Sequence, residues 1–200
     1  MLISTRAVLL HTIKYSDSSV IAKAYTESHG IVPFMVYVGK GKKAPSKSVL
    51  LQPLTLLEVT FNPDSRSGIK RPRSWERSEA LKATPFDTIK SSIALFIAEV
   101  VLRSIGEEEP NPELFKYLHG AVKMLDSSNE NCSNFHLNFM IGFTRFLGFL
   151  PNRRSYVPNR MFHLVEGEFV PQQNVDPYHV DSGLSGSLYK LLCGNLENHS

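Results

Sequence analysis

The chain has 200 residues, 42% of them hydrophobic, and 22 Lys+Arg against 19 Asp+Glu for a formal charge of +3. That length and apolar content provide the core of one large or two small domains and exclude a disordered chain. No run approaches the roughly 18 consecutive apolar residues of a membrane span, the opening MLISTRAVLLHTIKY lacks a cleavable-leader pattern, and Cys132 and Cys193 stand alone, giving neither a disulfide framework nor a zinc cage.

Residues 2 to 81 read as five strands broken by turn chemistry: Ile3 to Tyr15, Val20 to Thr26, Ile31 to Val38, Val49 to Phe61 and Ile69 to Leu81. The breaks are Ser16-Asp17-Ser18-Ser19, His29-Gly30, the loop from Gly39 to Ser48, and Asn62 to Gly68. Five strands predict a small β-barrel. Pro33 and Pro53 lack the N–H that a central ladder needs and belong at edges or bulges.

After Thr84-Pro85 the period becomes helical. Ile93, Phe96, Ile97, Val100 and Val101 predict one buried face. Asn111 as N-cap and Pro112 at the first helical position open a second helix, with Leu114, Tyr117, Leu118, Ala121, Val122 and Leu125 as its stripe. A third runs from about Ser133 to Leu150 on Phe135, Phe139, Phe143 and Phe146, and stops at Gly148 and Pro151. Met161 to Val170 predicts a hairpin around Glu166-Gly167, and a last helix lies near Leu184 to Cys193. The fold class is α+β, with a strand-rich domain over 1–83 and a helical domain with a small hairpin over 84–200.

Enzyme signatures are absent from this text. Gly39-Lys40-Gly41-Lys42 lacks Walker spacing and leads to a strand rather than a helix. His11, His29, His119 and His136 have no histidine or carboxylate at metal spacing and read as surface or satisfied side chains. Gly183-Leu184-Ser185-Gly186-Ser187 misses the last glycine of a nucleophile elbow, and Glu107-Glu108-Glu109 reads as a solvated corner between helices. No catalytic residue, metal ligand or cofactor is assigned.

The charge distribution is more informative. Residues 1–83 hold 13 Lys+Arg and 6 Asp+Glu, or +7, whereas 84–200 hold 9 and 13, or −4. A basic front half points to nucleic acid or another polyanion. Lys40, Lys42, Lys43 and Lys47 share one loop with two glycines, and Arg66, Lys70, Arg71 and Arg73 cluster on the next connection and strand. Each cation that neutralises a phosphate releases counterions, so affinity falls steeply with salt and carries little base information. Of Tyr15, Tyr25, Phe34, Tyr37 and Trp75, most read as core. Trp75, flanked by Arg73, Glu76 and Arg77, is the aromatic expected to be partly exposed and to stack on bases.

The runs Tyr15-Ser16-Asp17-Ser18-Ser19, Tyr25-Thr26-Glu27-Ser28-His29-Gly30, Val38-Gly39-Lys40-Gly41-Lys42-Lys43 and Leu51-Gln52-Pro53-Leu54 resemble the RecO family. So do Phe96-Ile97-Ala98-Glu99, Leu114-Phe115-Lys116-Tyr117-Leu118 and Phe146-Leu147-Gly148-Phe149-Leu150-Pro151. The resemblance implies an OB-fold barrel followed by a helical domain, acting in the cytoplasm at the nucleoid as a non-catalytic recombination mediator. Such a protein binds single- and double-stranded DNA, anneals strands, binds the acidic tail of the single-strand-binding protein and works with RecR to help load RecA. The DNA-contacting role falls on Lys40, Lys42 and Lys43, then Lys47. For the tail, an apolar hollow with cations is expected, with Arg145, Arg153 and Arg154 as candidates. Many members carry a four-cysteine zinc module where Met161 to Val170 here has no cysteine, so no zinc is expected. Many also continue with further helices, so this chain is either short or truncated. An adaptor whose basic barrel binds acidic proteins is the alternative. An RNA-processing enzyme is a more distant one.

Overall fold

The computed structural model describes residues 1–38, 49–106, 110–128, 132–173 and 176–197. They form two compact units, Met1–Ser133 and Asn134–Ser200. The first holds a five-stranded antiparallel sheet of β1 (Ile3–Lys14), β2 (Ser19–Thr26), β3 (Gly30–Tyr37), β4 (Leu56–Phe61) and β5 (Ser74–Arg77), in the order β3-β2-β1-β4-β5. It also holds helices α1 (Thr88–Ser104) and α2 (Pro112–Ser127). The change from strand to helical period at residues 83–84 thus falls inside one compact unit, and the unit boundary lies beyond α2.

Alternation builds the sheet's interior. Ala7, Leu9, Ala22, Ala24, Val32, Phe34, Val36, Leu57, Val59 and Phe61 form one buried cluster, with Trp75 packed against it. The register between β1 and β2 shifts between Leu9 and His11, a bulge that lets Leu10 be buried as well. The two edges of the sheet meet at one point, a parallel bridge between Phe34 in β3 and Lys70 ahead of β5. Lys70 N–H donates to Pro33 O and Met35 N–H to Lys70 O, both at 2.8 Å. Pro33 therefore lies on the edge strand, paired with Lys23 of β2, and its carbonyl faces Lys70. On that outward side its missing N–H costs no bond to β2, as the edge placement requires.

Two strands differ from their expected bounds. Val49–Leu51 is a short 3-10 turn, and Gln52 to Thr55 make a tight corner in which Leu54 has φ 60°. Thr55 Oγ1 closes that corner on Gln52 O at 2.7 Å, so β4 begins only at Leu56. Pro72 follows the Lys70 bridge, and β5 is limited to four residues.

The stripe of α1 is Ile93, Ala94, Ile97, Ala98 and Val101, with Lys90 also buried. Phe96, expected on that stripe, is 40% exposed; two alanines take its place and let the helix approach β1 closely. On α2, Asn111 Oδ1 accepts the Leu114 N–H at 3.0 Å, the expected cap. Its buried residues are Leu114, Phe115, Leu118, Val122 and Leu125. Two reciprocal polar contacts tie α1, α2 and the incoming chain together. The Asp126 carboxylate accepts the N–H groups of Lys82, Ala83 and Thr84 at 2.8 to 2.9 Å. The buried Lys90 ammonium donates to Asp126 O and Ser128 O at 3.0 and 2.6 Å, satisfying carbonyls left over at the end of α2.

The second unit has α3 (Phe135–Thr144), extended by a 3-10 turn over Arg145–Leu147 and stopped at Gly148, φ 81°. Strands β6 (Met161–His163) and β7 (Glu168–Val170) form the expected hairpin, with Gly167 at φ 68° in its turn. A third strand, β8 (His179–Val180), pairs with β6, and α4 (Ser182–Glu197) follows. Phe162, Phe169 and Leu192 are the buried centre of this unit.

Burial pushes the Asp126 carboxyl up, but the three backbone N–H bonds together outweigh it and hold the group below its ordinary 3.8. Its stabilisation is therefore complete above that value and is lost as pH falls through the depressed folded-state pKa. Asp126→Ala is expected to lower the unfolding free energy at neutral pH by about 2 kcal/mol, because it orphans three donors. The gap to the native chain should shrink on acidification below about pH 4. Chemical denaturation across pH measures both, and a gap independent of pH would contradict this role.

Candidate nucleic-acid interface

The cationic residues singled out in the sequence fall into three groups. Lys40, Lys42, Lys43 and Lys47 lie outside the described residues. The strand that leads to them ends at Tyr37, and Val38 N–H donates to Ser18 O at 2.9 Å, which fixes their departure point beside the β1–β2 turn.

The second group follows β4. Lys70 is half-buried, and its ammonium donates to Pro63 O and Ser65 O, each at 2.8 Å. With its backbone bridged to β3, Lys70 holds the connection in place, and its charge is already matched by two carbonyls. Arg66, Arg71 and Arg73 are exposed, and among the described residues none has a hydrogen-bond or ion-pair partner for its guanidinium. The Phe34–Lys70 bridge is parallel, so Arg71 and Arg73 continue from it in the direction in which β3 runs to Tyr37.

Trp75 is half-buried. Its ring meets Phe34 edge-on at 5.5 Å, and its Nε1–H is buried without an acceptor. The exposed aromatics of the sheet are instead Tyr15 and Tyr37, at 61% and 64%. Alternation carried the signal for them, because both fall on the solvent parity of their strands, opposite Phe34 and Val36.

The outer face of β1, β4 and β5 has a different balance. Arg6 and Glu58 are paired across β1 and β4, and Glu58 and Glu76 across β4 and β5. Ser4 and Ser74 hydroxyls donate to Glu58 and Glu76, each at 2.7 Å. Arg6 donates through Nε to Glu27 at 2.9 Å, and its guanidinium lies 5.3 Å from the Phe115 ring centre. The Arg6 hydrogen bond, against the opposing effect of burial, holds the Glu27 carboxyl below its usual range. Arg6 is thus committed within the fold, and this face carries carboxylates.

In the second unit, Arg145 lies over the Phe146 ring at 4.6 Å. Arg153 and Arg154 occupy an exposed 3-10 turn capped by Asn152, whose Oδ1 accepts the Arg154 N–H at 3.1 Å. Phe149 and Leu150, just before that turn, are 61% and 55% exposed.

His163, Asp176 and His179 bring three potential metal-ligand atoms within 4.8 Å of one another. The hydrogen bonds assign their protons. His163 Nδ1 accepts the Glu166 N–H at 3.1 Å, which leaves the ring proton on Nε2, 3.2 Å from Asp176 Oδ2. The nitrogen that would need a lone pair for a cation is the donor. His179 Nδ1 accepts the Asp176 N–H at 3.0 Å. The cluster is a clasp of β6, β8 and the turn between them, which sequence spacing could not reveal because the histidines meet only through strand pairing.

Residues 1–80 match the family model described as Recombination protein O N terminal, and residues 85–157 match Recombination protein O C terminal. The chain is 39% identical over 182 residues to the DNA repair protein RecO of Phocaeicola vulgatus, covering 90% of this chain and 73% of that protein. It is 35% identical over 198 residues to the DNA repair protein RecO of Bacteroides fragilis, covering 98% and 82%. With that of Flavobacterium psychrophilum it shares 33% identity over 186 residues, covering 92% and 75%.

Lys70→Met keeps the aliphatic stem and removes the two carbonyl contacts. It is expected to lower hydrogen-exchange protection at Met35 and Lys70 amides by about tenfold, the equivalent of about 1.4 kcal/mol and within the range for charged hydrogen bonds. Unchanged protection would show that the backbone bridge stands without the ammonium.

Proposed function

The chain belongs to the RecO family, which carries a role in DNA repair and recombination, and from that premise we propose that it is a non-enzymatic mediator that binds DNA through the basic edge of its five-stranded sheet. The observation that carries this reading is the set of exposed guanidinium groups of Arg66, Arg71 and Arg73, without partners among the described residues. Two of them run from the Lys70 bridge in the direction of the end of β3. The lysines at 40, 42, 43 and 47 follow that end within ten residues of sequence. Cations gathered on one edge, with the carboxylates of Glu58 and Glu76 on another face, suit a polyanion laid along the edge rather than one enclosed in a cleft.

In this reading the mediator grips sugar and phosphate of single- and double-stranded DNA, so that annealing follows from charge neutralisation of two strands on one surface. Arg145, Arg153 and Arg154, beside exposed Phe149 and Leu150, offer cations and apolar surface to the acidic C-terminal tail of the single-strand-binding protein. RecR is the further partner, and RecA loading the outcome, with the cytoplasmic nucleoid as the place of action.

Titration of a labelled single strand against the full chain at rising salt tests the reading. Binding is expected to weaken steeply with salt, and charge reversal of Arg71 and Arg73, or of Lys40, Lys42 and Lys43, should weaken it for all sequences alike. Each neutralised phosphate contact should reduce the salt slope by about one. Salt-independent binding, or binding indifferent to all five substitutions, would contradict the proposed edge.

A further inference from the structure

Tyr15 and Tyr37 stand at the same end of the sheet and on the same face. Tyr37 pairs with Ser19 across β2 and β3, and Tyr15 N–H donates to Ser19 O at 3.1 Å, so one strand separates the two tyrosines. Two strand spacings put them roughly 9 to 10 Å apart. The next row on this face is Ile13, Ile21 and Met35, opposite one another in the ladders. Ile13 is 45% exposed, while Ile21 and Met35 are half-buried, giving an apolar floor beside the rings. The row after that contains Lys23, and the parallel bridge directs Arg71 and Arg73 along the other side of β3.

A single exposed tyrosine is ordinary. Two on one face, above apolar side chains and flanked by cations, supply the two parts that single-stranded nucleic acid needs: a flat apolar surface for bases and positive charge for phosphates. The acid near them is Asp17, which lies 3.8 Å from Lys14. A duplex covers its bases and offers phosphates alone, so the rings have nothing to stack on there. The spacing of the tyrosines corresponds to roughly three nucleotides at a rise of 3.4 Å.

We propose that Tyr15 and Tyr37 form a base-stacking platform that gives this surface a preference for single strands over duplex. The inference rests on the reading of the sheet edge as a DNA-binding surface and adds to it the groups that sense whether bases are unpaired. It moves the stacking role from Trp75, whose ring is engaged with Phe34, to two rings that the sequence reading placed with the core. Both tyrosines are mostly exposed, so their removal leaves the buried cluster intact.

The test is fluorescence anisotropy on the full chain with a labelled oligodeoxythymidine and with a duplex of equal length, each over a range of salt. The native chain, Y15A/Y37A and Y15F/Y37F are compared, with thermal unfolding as a check on folding. The alanine pair is expected to lose single-strand affinity by about tenfold or more. Its duplex affinity and salt slope should be unchanged, since no charge is removed, and the phenylalanine pair, which keeps the rings, should bind like the native chain. Unchanged single-strand affinity in the alanine pair, with the native chain binding normally, would overturn the platform alone. So would equal loss on both nucleic acids. Failure of the native chain to bind either would overturn the DNA-binding reading and the platform with it.

Discussion

The pair of backbone hydrogen bonds between Lys70 and β3 is the constraint on which the rest of the first unit depends. Without it, β3 and β5 are opposite edges of one open sheet, and the cations that follow β4 have no defined relation to the chain that leaves β3. With it, the Asn62–Arg73 connection is tied to Pro33 and Met35, and the ammonium of the same lysine secures Pro63 and Ser65 from the other side. One residue thus curls the sheet and positions the arginines beside it. Its cost is the removal of one positive charge from the surface, since Lys70 spends its donors on carbonyls.

Charge is sorted by the same architecture. Arg6 is turned toward Glu27 and Phe115, and Lys123 lies 2.9 Å from Glu79, a contact whose hydrogen bond and charge hold that carboxyl low against the opposing effect of burial. Both pairs lie within the sheet and helices of the first unit and contribute little net field outside it. Arg66, Arg71 and Arg73 are left without such partners among the described residues, so the basic excess of the front half is concentrated there and in the lysine loop. Concentration of one sign along an edge raises local counterion density and accelerates encounter with a polyanion. The helices contribute to this by stability: Asp126 and Lys90 anchor α1 and α2 through backbone groups rather than by pairing with each other's charge.

Much of the fold was legible from residue pattern. The strand-rich front, the Asn111-Pro112 helix start, the Gly148 stop and the Glu166-Gly167 hairpin all follow from local rules, because each is fixed by the conformational needs of a few adjacent residues. What was misread depended on partners distant in sequence. Val49 to Thr55 has strand composition, yet the corner at Leu54 breaks it. Phe96 has the right spacing for a buried stripe, but α1 packs through Ala94 and Ala98, where small side chains permit closer approach. β8 is two residues long and exists only because β6 offers it an edge. At the candidate site, Trp75 was expected outside and Tyr15 and Tyr37 inside; alternation relative to Phe34 decides the matter, and that parity is visible only once the β-bulge at Leu9/His11 and the strand register are known.

The most direct measurement is hydrogen exchange of the full chain with and without a single-stranded oligonucleotide at low salt. Added protection is expected to gather at residues 15–19, 35–38 and 70–75, the segments that the Lys70 bridge and the β2–β3 ladder bring to one edge. Protection confined to residues 134–200, or absent from both segments flanking the bridge, would contradict the account.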